Sequence, residues 1–230
     1  MENTHIPLLI FENEDFIIID KPSGLVVHPF DYSTEYTLMD FLKEKYPNIF
    51  LIDNSVTLQD GRDISLGGIV HKLDRDTSGV MVIAKHIDSF NELRLQFRNH
   101  STQKTYIARV EGVIEEDSFT IEAPLGRGKK DYKQTTELHR IRGEARSAIT
   151  DVEVILRDVS TTHVRLMPKT GRTHQLRAHM SSIGHPILGD IAYGSSVSSK
   201  RIMLHAEKLS FVYRGDVFDF SVPFDDIFIL

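Results

Sequence analysis

Beyond residue 104, the apolar residues of this chain recur at every second position in five stretches, which is the spacing of strands that bury one face. The stretches are 105–111, 147–156, 161–166, 208–213 and 217–222. In the first stretch Tyr106, Ala108 and Val110 share one face, and the residues between them share the other. No regular helical crossovers separate the stretches, so they predict an α+β fold with a mixed, largely antiparallel sheet flanked by helices and loops.

Apolar residues at helical spacing predict three helices, at 37–46, 88–97 and 171–184. The first begins with Thr37 and Asp40 at the spacing of a capping box. The second places Phe90, Leu93 and Phe97 on its inner face.

Two short apolar runs, 16–20 and 79–85, predict buried strands. Residues 53–68 are rich in Asn, Asp and Gly and predict a surface loop. No repeat or linker divides the chain, so we expect a single domain over residues 1–230.

The charge of the chain is distributed unevenly. The net charge is -6, but residues 1–60 alone carry 11 acids against 3 bases, so the remaining 170 residues carry +2. Residues 159–189 contain no acid, and residues 123–146 hold seven Lys and Arg against three acids. Because phosphate binding depends on local charge, either stretch could contact nucleic acid. Charge alone leaves open the alternative that both are solvated surfaces.

Several classes of protein are excluded by composition. The absence of Cys excludes disulfides, thiolate zinc sites and a cysteine nucleophile. The apolar stretch from Ile6 to Phe11 is too short for a membrane span or a signal sequence. We therefore expect a cytoplasmic protein without a membrane partner.

Residues 71–79 form the densest group of chemically active side chains. His71, Lys72, Asp74, Arg75 and Thr77 lie together between a glycine pair and a predicted strand. Such a loop can hold one carboxylate in a fixed position, but a charged surface turn has the same composition. An aspartic protease is excluded, since 76–79 is one residue longer than the Asp-Thr-Gly motif and has no second copy.

The second group of candidate residues lies on the third predicted helix. Thr173 is the expected N-cap, with Leu176, Met180 and Ile183 in line on the inner face. Thr173 and Arg177 share a face, as do Gln175 and His179. His174 and His179 are five residues apart, which does not fit a helical zinc pair. We expect structural histidines and no bound metal.

Five motifs together resemble the RluA-type family of RNA pseudouridine synthases. The segment GIVHKLDRDTSG at 68–79 resembles the catalytic loop of that family, and KTYIARVEG at 104–112 resembles its Lys-x-Tyr-x-Ala-x-Val-x-Gly strand. The other three are DKPSGLVVHP at 20–29, GRTHQLRAHMSSIGHPILGDIAYG at 171–194 and LHA at 204–206. They occur in the family's order over most of the chain.

The resemblance implies a reaction and its catalytic residues. These enzymes break the N1–C1′ bond of a uridine in RNA, turn the uracil and rejoin it through C5, without a cofactor. Asp74 matches the essential carboxylate, whose role as nucleophile or as base for the 2′ proton remains open. Tyr106 matches a tyrosine that stacks on the base and is a candidate for removing the C5 proton. Arg177 matches the arginine that favours the ionised aspartate, and Leu176 an apolar wall beneath the uracil.

Further residues of the same motifs are expected to bind substrate. They are His71, Lys72, Arg75, Thr77 and Arg172. Lys72 departs from the family, which commonly has an arginine there that takes the place of the flipped base. Lysine keeps the charge but loses planar, bidentate contacts, so a flipping role does not follow for Lys72.

The resemblance leaves the RNA partner open between tRNA and ribosomal RNA. Because the first motif begins by residue 20, we expect the chain to lack the S4-like RNA-binding domain of many relatives. We expect residues 127–146 to supply RNA contacts instead, and a monomer that does not act on DNA. The rival hypotheses are an RNA chaperone with an inactive site and a nucleosidase that uses Asp74 with Asp76. Residues two apart on one loop rarely face each other across a sugar, which disfavours the nucleosidase.

Overall fold

The computed structural model describes residues 6–29, 35–58, 61–129 and 133–224. Its strands are β1 Leu8–Glu12, β2 Phe16–Lys21, β3 Ser55–Thr57, β4 Asp63–Ser65, β5 Ser78–Ala84, β6 Gln103–Glu111, β7 Ser118–Glu122, β8 Gly126–Arg127, β9 Gln134–Thr135, β10 Ile149–Arg157, β11 Thr161–Pro168, β12 Leu204–Tyr213 and β13 Asp216–Ser221. Its helices are α1 Leu38–Lys45, α2 Ile87–Arg98 and α3 Gln175–Ser182. The predicted α+β class is confirmed.

The chain divides into two compact units. Unit 1 comprises the residues up to Thr102 together with Lys208–Val222, and unit 2 comprises Gln103–Glu207 with the residues from Pro223. That residues 1–230 form one catalytic domain stays a prediction.

Unit 1 is built on the antiparallel strands β1, β2 and β5, in that order. The apolar runs of β2 and β5 are buried on both faces, as expected of interior strands without alternation. Phe16 packs edge-on against Phe211 and Phe218, with ring centroids 5.3 and 5.0 Å apart. The hairpin of β12 and β13, which carries both phenylalanines, is thereby held to β2 of the same unit.

The two predicted helices of unit 1 are confirmed. Thr37 caps α1 in a complete capping box with Asp40. In α2, Phe90 and Leu93 are buried as predicted, and the N-cap is His86, whose ring accepts a hydrogen bond from the Ser89 amide.

Unit 2 is an antiparallel sheet in the order β7, β10, β11, β6. One face of β6 carries Ala108 and Val110 into an apolar core that α3 covers with Leu176 and Met180. Ile107, on the opposite face of the strand, is also buried. The predicted one-sided alternation of β6 is therefore wrong at Ile107, because this strand is covered on both faces.

Three local predictions are corrected. Residues 53–68 contain the two-stranded pair β3 and β4 rather than an irregular loop, paired from Ser55 to Ser65. The N-cap of α3 is His174 in the left-handed conformation (φ 51°), not Thr173. Ile183 ends the helix and is 37% exposed, so it does not continue the buried face.

The longest helix in the described ranges has 12 residues. No helix within the described ranges has the length and the apolar composition that crossing a membrane requires.

Candidate active site

The Asp74 loop connects β4 to β5 in unit 1. The chain that leads into this loop is held at Gly68, whose carbonyl accepts a hydrogen bond from the Ala84 amide of β5 at 2.9 Å. A Cβ at Gly68 would overlap the carbonyl oxygen of Ala84, so only glycine fits there. Within the loop Leu73 is buried and Asp74 is half-buried, and the Asp74 carbonyl accepts from the Thr77 amide at 3.2 Å. Asp74 therefore lies on a turn with defined geometry.

The turn Lys21–Gly24 clamps the backbone that follows Asp74. The Lys21 ammonium, which is fully buried, donates to the Arg75 carbonyl at 2.9 Å, and the Gly24 amide donates to the same oxygen at 2.9 Å. The Ser23 hydroxyl donates to the Asp76 carbonyl at 2.7 Å. Three donors thus hold the two carbonyls directly after Asp74. Lys21 lies in one of the five motifs, but its motif alone predicts no role for it.

The other side chains of the loop have different environments. The ring of His71 stacks on Phe97, with centroids 4.2 Å apart, and its Nε2 accepts from the Val82 amide. Thr77 is buried, whereas Arg75 is exposed and pairs with Glu35 at 3.1 Å. The surroundings of His71 and Thr77 are those of residues that support the loop.

Lys72 is exposed and lies close enough to His28 to affect its titration. Burial lowers the pKa of His28, and the positive charge of Lys72 lowers it further. The neutral imidazole therefore predominates beside the lysine at neutral pH.

Tyr106 lies on β6 in unit 2, opposite Leu166 of β11. It is half-buried and packs against the apolar core of that unit. One part of the ring is supported by the core while another remains accessible, which suits a residue that stacks on a base.

Arg177 of α3 is buried and forms a two-pronged ion pair with Asp190, its Nε at 2.6 Å from Oδ2 and its Nη2 at 2.9 Å from Oδ1. The guanidinium carbon lies 4.8 Å from the centre of the Tyr193 ring. Asp190 is 1% exposed, and such planar pairing fixes the orientation of the arginine. Asp190 was not predicted as this partner, although it is the first acid after the acid-free stretch 159–189.

The start of α3 is fixed by Gln175. Its carbonyl oxygen accepts from the Thr170 hydroxyl and the Arg172 amide, and its amide nitrogen donates to the Ile149 carbonyl and the Thr150 hydroxyl. Arg172 donates to the Ser147 carbonyl at 3.1 Å. Leu176 is 7% exposed and belongs to the apolar core.

The histidines of α3 have structural partners, as predicted. His179 is buried between the Thr150 hydroxyl and the Ala123 carbonyl, each 2.9 Å away, and burial lowers its pKa. His174 contacts the Tyr193 hydroxyl at 2.9 Å through Nδ1. These separate environments do not support a shared metal.

Much of the positive charge at 159–189 is neutralised within unit 2. Arg165 pairs with Glu153 at 2.7 Å and Lys169 with Asp151 at 2.8 Å. Together with the pairing of Arg177, this makes most of the stretch a structural network rather than an open phosphate surface.

The basic run 123–146 borders a cavity of about 620 Å³ in unit 2. Its lining includes Lys129, Lys133, His139 and Arg140, with Tyr193 at one side. Lys130, which belongs to the same run, lies outside the described residues. The volume is within the range of about 300–1,000 Å³ that is usual for ligand sites.

A family profile described as RNA pseudouridylate synthase matches residues 15–182 of the chain. The protein belongs to this family. The matched range includes Asp74, Tyr106 and Arg177.

Two curated relatives have similar sequences. The ribosomal large subunit pseudouridine synthase D of Pseudomonas aeruginosa is 37% identical over 187 residues, which are 81% of this chain and 53% of that protein. The dual-specificity RNA pseudouridine synthase RluA of Vibrio vulnificus is 35% identical over 211 residues, 89% of this chain and 77% of that protein. The chain thus spans about half the length of the Pseudomonas relative. The identification as an RluA-type synthase is confirmed.

A solved structure shares the fold of the chain. The human RNA pseudouridylate synthase domain containing 1 superposes with a TM-score of 0.78, covering 98% of this chain and 86% of its own. Its sequence identity is 24%, so it supports the architecture alone.

Proposed function

We propose that the protein is an RNA pseudouridine synthase that isomerises a uridine of large-subunit ribosomal RNA, with Asp74 as its catalytic carboxylate. The observation that carries this proposal is the clamped Asp74 loop in a chain that belongs to the family. The choice of RNA follows the name of the Pseudomonas relative. We further propose that it acts as a cytoplasmic monomer and not on DNA.

The reaction is an internal rearrangement of the nucleotide. The N1–C1′ bond breaks, the uracil turns, a C5–C1′ bond forms, and the proton lost from C5 is balanced by one gained at N1. No electron carrier or hydrolytic water enters this balance, so the proposal includes no cofactor. Asp74 either attacks C1′ or removes the 2′ proton, and both roles require an ionised carboxylate in a fixed position.

Tyr106, Arg177 and Leu176 are proposed to act on the same nucleotide. Tyr106 offers an accessible ring supported by the core, and stacking on an unpaired base is a common mode of RNA recognition. The ion pair with Asp190 holds the Arg177 guanidinium in one orientation. Leu176 would supply an apolar wall, since it adjoins the core at the start of α3.

The remaining substrate contacts are assigned by exposure. Lys72 and Arg75 are exposed and suit phosphate contacts, whereas His71 and Thr77 act by supporting the loop. Arg172 is half-buried, and its phosphate contact is proposed from its motif alone. The basic cavity at 128–140 is the proposed surface for the flanking RNA, because its lysines and arginine favour a polyanion.

The test is tritium release from uridine labelled at C5, in unmodified transcripts of large-subunit ribosomal RNA and of tRNA. The wild-type protein should release tritium from the ribosomal transcript, and Asp74→Asn should reduce the rate by at least about 10³-fold, as expected for loss of an essential group. Asp76→Asn is the matched control, two residues further along the same loop, and should retain activity.

Retained activity in Asp74→Asn would refute the catalytic assignment. Release of tritium from the tRNA transcript alone would identify tRNA, and not ribosomal RNA, as the substrate. Free uracil among the products would indicate a nucleosidase, and RNA binding without any tritium release would indicate a chaperone.

A further inference from the structure

Tyr193 lies where three parts of unit 2 meet. It ends the short helical turn Ile191–Tyr193 and is 7% exposed. Its ring contacts Arg177 of α3, its hydroxyl contacts Gln134 of β9, and the side chain lines the basic cavity. Tyr193 therefore adjoins both the proposed RNA surface and an arginine that is proposed to act on the nucleotide.

One contact of Tyr193 is with the guanidinium of Arg177. The guanidinium carbon lies 4.8 Å from the ring centre, at the distance of a cation–π contact, and Asp190 pairs with the edge of the same group. The Tyr193 amide donates to the Asp190 carbonyl at 2.9 Å, so the ring and the carboxylate belong to one turn. The Ser181 hydroxyl of α3 donates to the Tyr193 carbonyl at 2.6 Å. Arg177 is thus held on its face and on its edge by a turn that is fixed to its own helix.

The hydroxyl of Tyr193 contacts two other elements. It accepts a hydrogen bond from the Gln134 amide at 3.0 Å, and it lies 2.9 Å from Nδ1 of His174. His174 is the left-handed cap of α3, a conformation that a residue with a side chain keeps only when its surroundings hold it. The ring of Tyr193 also packs edge-on against the imidazole, with centroids 5.7 Å apart. The hydroxyl therefore joins the start of α3 to β9.

Strand β9 borders the basic cavity. Gln134 follows Lys133 directly, and the Lys133 carbonyl accepts from the Gly128 amide at 2.8 Å. All three residues line the cavity. A shift of Tyr193 would therefore change the distance between a cation that is proposed to hold RNA and the Arg177 guanidinium.

We propose that Tyr193 is a positioning residue for pseudouridine formation, which sets the place of the Arg177 guanidinium relative to the RNA contacts beside β9. This inference rests on the proposed function. Tyr193 acts through Arg177 and not on the nucleotide itself. The effect on the rate is large because misplacing a group at the reacting centre by about 1 Å can cost a factor of about 100.

The first experiment measures tritium release from uridine labelled at C5 in the unmodified ribosomal transcript, over a range of RNA concentrations. Tyr193→Phe keeps the ring over Arg177 and removes the hydroxyl, so kcat should fall by about tenfold to a hundredfold. The affinity for the same transcript, measured in the Asp74→Asn background, should change by less than about twofold, because the cations of the cavity remain. Tyr193→Leu removes the ring as well and should lower kcat further.

Tyr213→Phe is the matched control. Tyr213 lies on β12 in unit 1, is 3% exposed, and donates its hydroxyl proton to Asp15 at 2.9 Å. Because that acceptor is charged, Tyr213→Phe should lower the thermal midpoint at least as far as Tyr193→Phe does, by about 2–4 °C, while kcat keeps its wild-type value. A loss of turnover that only followed the loss of stability would appear in both variants.

A second readout requires no turnover. The Nε proton of Arg177, which Asp190 accepts, gives an NMR signal that is assigned by its absence in Arg177→Lys. Its exchange with solvent should be about tenfold faster in Tyr193→Phe than in the wild-type protein, and unchanged in Tyr213→Phe.

The inference is overturned if Tyr193→Phe keeps the wild-type kcat, if Tyr213→Phe loses as much kcat, or if the Arg177 proton exchanges at an unchanged rate. An RNA affinity that falls as far as kcat would make Tyr193 an RNA contact, which also contradicts the proposal. A wild-type protein that forms no pseudouridine, while the Arg177 proton still exchanges faster in Tyr193→Phe, would refute the proposed function and leave the positioning of Arg177 standing.

Discussion

At the scale of single residues, Lys21 shows how a buried ammonium can organise a loop through main-chain carbonyls. Its ammonium has 0% exposure and donates to three main-chain carbonyls, of Pro22, Leu25 and Arg75. Methylene groups alone could fill the same space, but the carbonyls of Pro22 and Leu25 would lose this donor, and the Arg75 carbonyl would keep only the Gly24 amide. The lysine is thus a cross-link between the turn that contains it and the loop that carries Asp74.

Lys21→Met should therefore lower both stability and turnover. We expect a loss of about 2–4 kcal/mol in the free energy of unfolding, because buried acceptors lose their donor. The kcat for pseudouridine formation should fall more than the KM changes, since the loop backbone after Asp74 is released. Urea unfolding and steady-state tritium release measure the two effects.

Lys85→Met is the control for this substitution. Lys85 pairs with Glu12 at 2.8 Å in a partly exposed position, and such pairs contribute about 0–1 kcal/mol. If Lys21→Met were as stable and as active as Lys85→Met, the clamp would have no role.

At the scale of elements, one hydroxyl fixes the orientation of α3 on β10. The Ala123 carbonyl can only accept, so Nε2 of His179 carries the hydrogen that is donated to it. In the neutral ring Nδ1 therefore accepts the proton of the Thr150 hydroxyl at 2.9 Å, and the same hydroxyl accepts from the Gln175 amide at 3.0 Å. Gln175 and His179, four residues apart, therefore share the face that contacts the sheet, as the helical spacing predicted.

Thr150→Val should destabilise unit 2 by about 1–3 kcal/mol, because it removes one partner each from two buried groups while conserving volume. Chemical denaturation followed by circular dichroism measures the change. Thr120→Val on β7 removes an exposed hydroxyl that contacts Asp151, and should cost under about 0.5 kcal/mol. Equal losses in the two variants would contradict a special role for Thr150.

At the scale of the whole molecule, buried histidines give stability a defined pH dependence. Burial lowers the pKa of His28, His163 and His179 below the ordinary value of 6.5. Between the lowered pKa and 6.5, the unfolded chain binds protons that the folded protein does not. Stability is therefore full above pH 6.5 and falls as the pH decreases.

The slope should reach at most about 1.4 kcal/mol per pH unit for each of these histidines. Urea midpoints at pH 7.5, 6.5, 5.5 and 5.0 measure it. Carboxyl groups with lowered pKa values, such as Glu111 and Asp151, lose their contribution only at lower pH, below about 4.5. A stability that stays constant from pH 7.5 to 5.0 would contradict this expectation.

The sequence predicts most of the regular structure of this molecule, but few of its long-range contacts. Strands and helices with strong periodicity were predicted correctly because the spacing of their apolar residues fits the burial of only one type of element. The pair β3 and β4 was missed because its strands have three residues each and are largely exposed. The left-handed cap at His174 was missed because nothing local favours it over Thr173.

In the candidate site, too, the residues of recognisable motifs were predicted and the long-range contacts were not. Asp74, Tyr106 and Arg177 were identified by type and motif, and their roles stay predictions. Lys21 and Asp190 escaped notice because their importance depends on partners far along the chain or on burial, neither of which periodicity reveals.

The clamp between Lys21 and Arg75 joins positions 54 residues apart, and Ser23 joins Asp76 across 53. These hydrogen bonds hold both ends of the intervening segment in place, but they do not constrain the number of residues between them. The entropy of closing such a loop grows only with the logarithm of its length, so a doubling costs about 0.6 kcal/mol. Insertions near the exposed pair β3 and β4 would leave Asp74 in place, which makes this segment a region where the protein can acquire new sequence without losing its loop geometry.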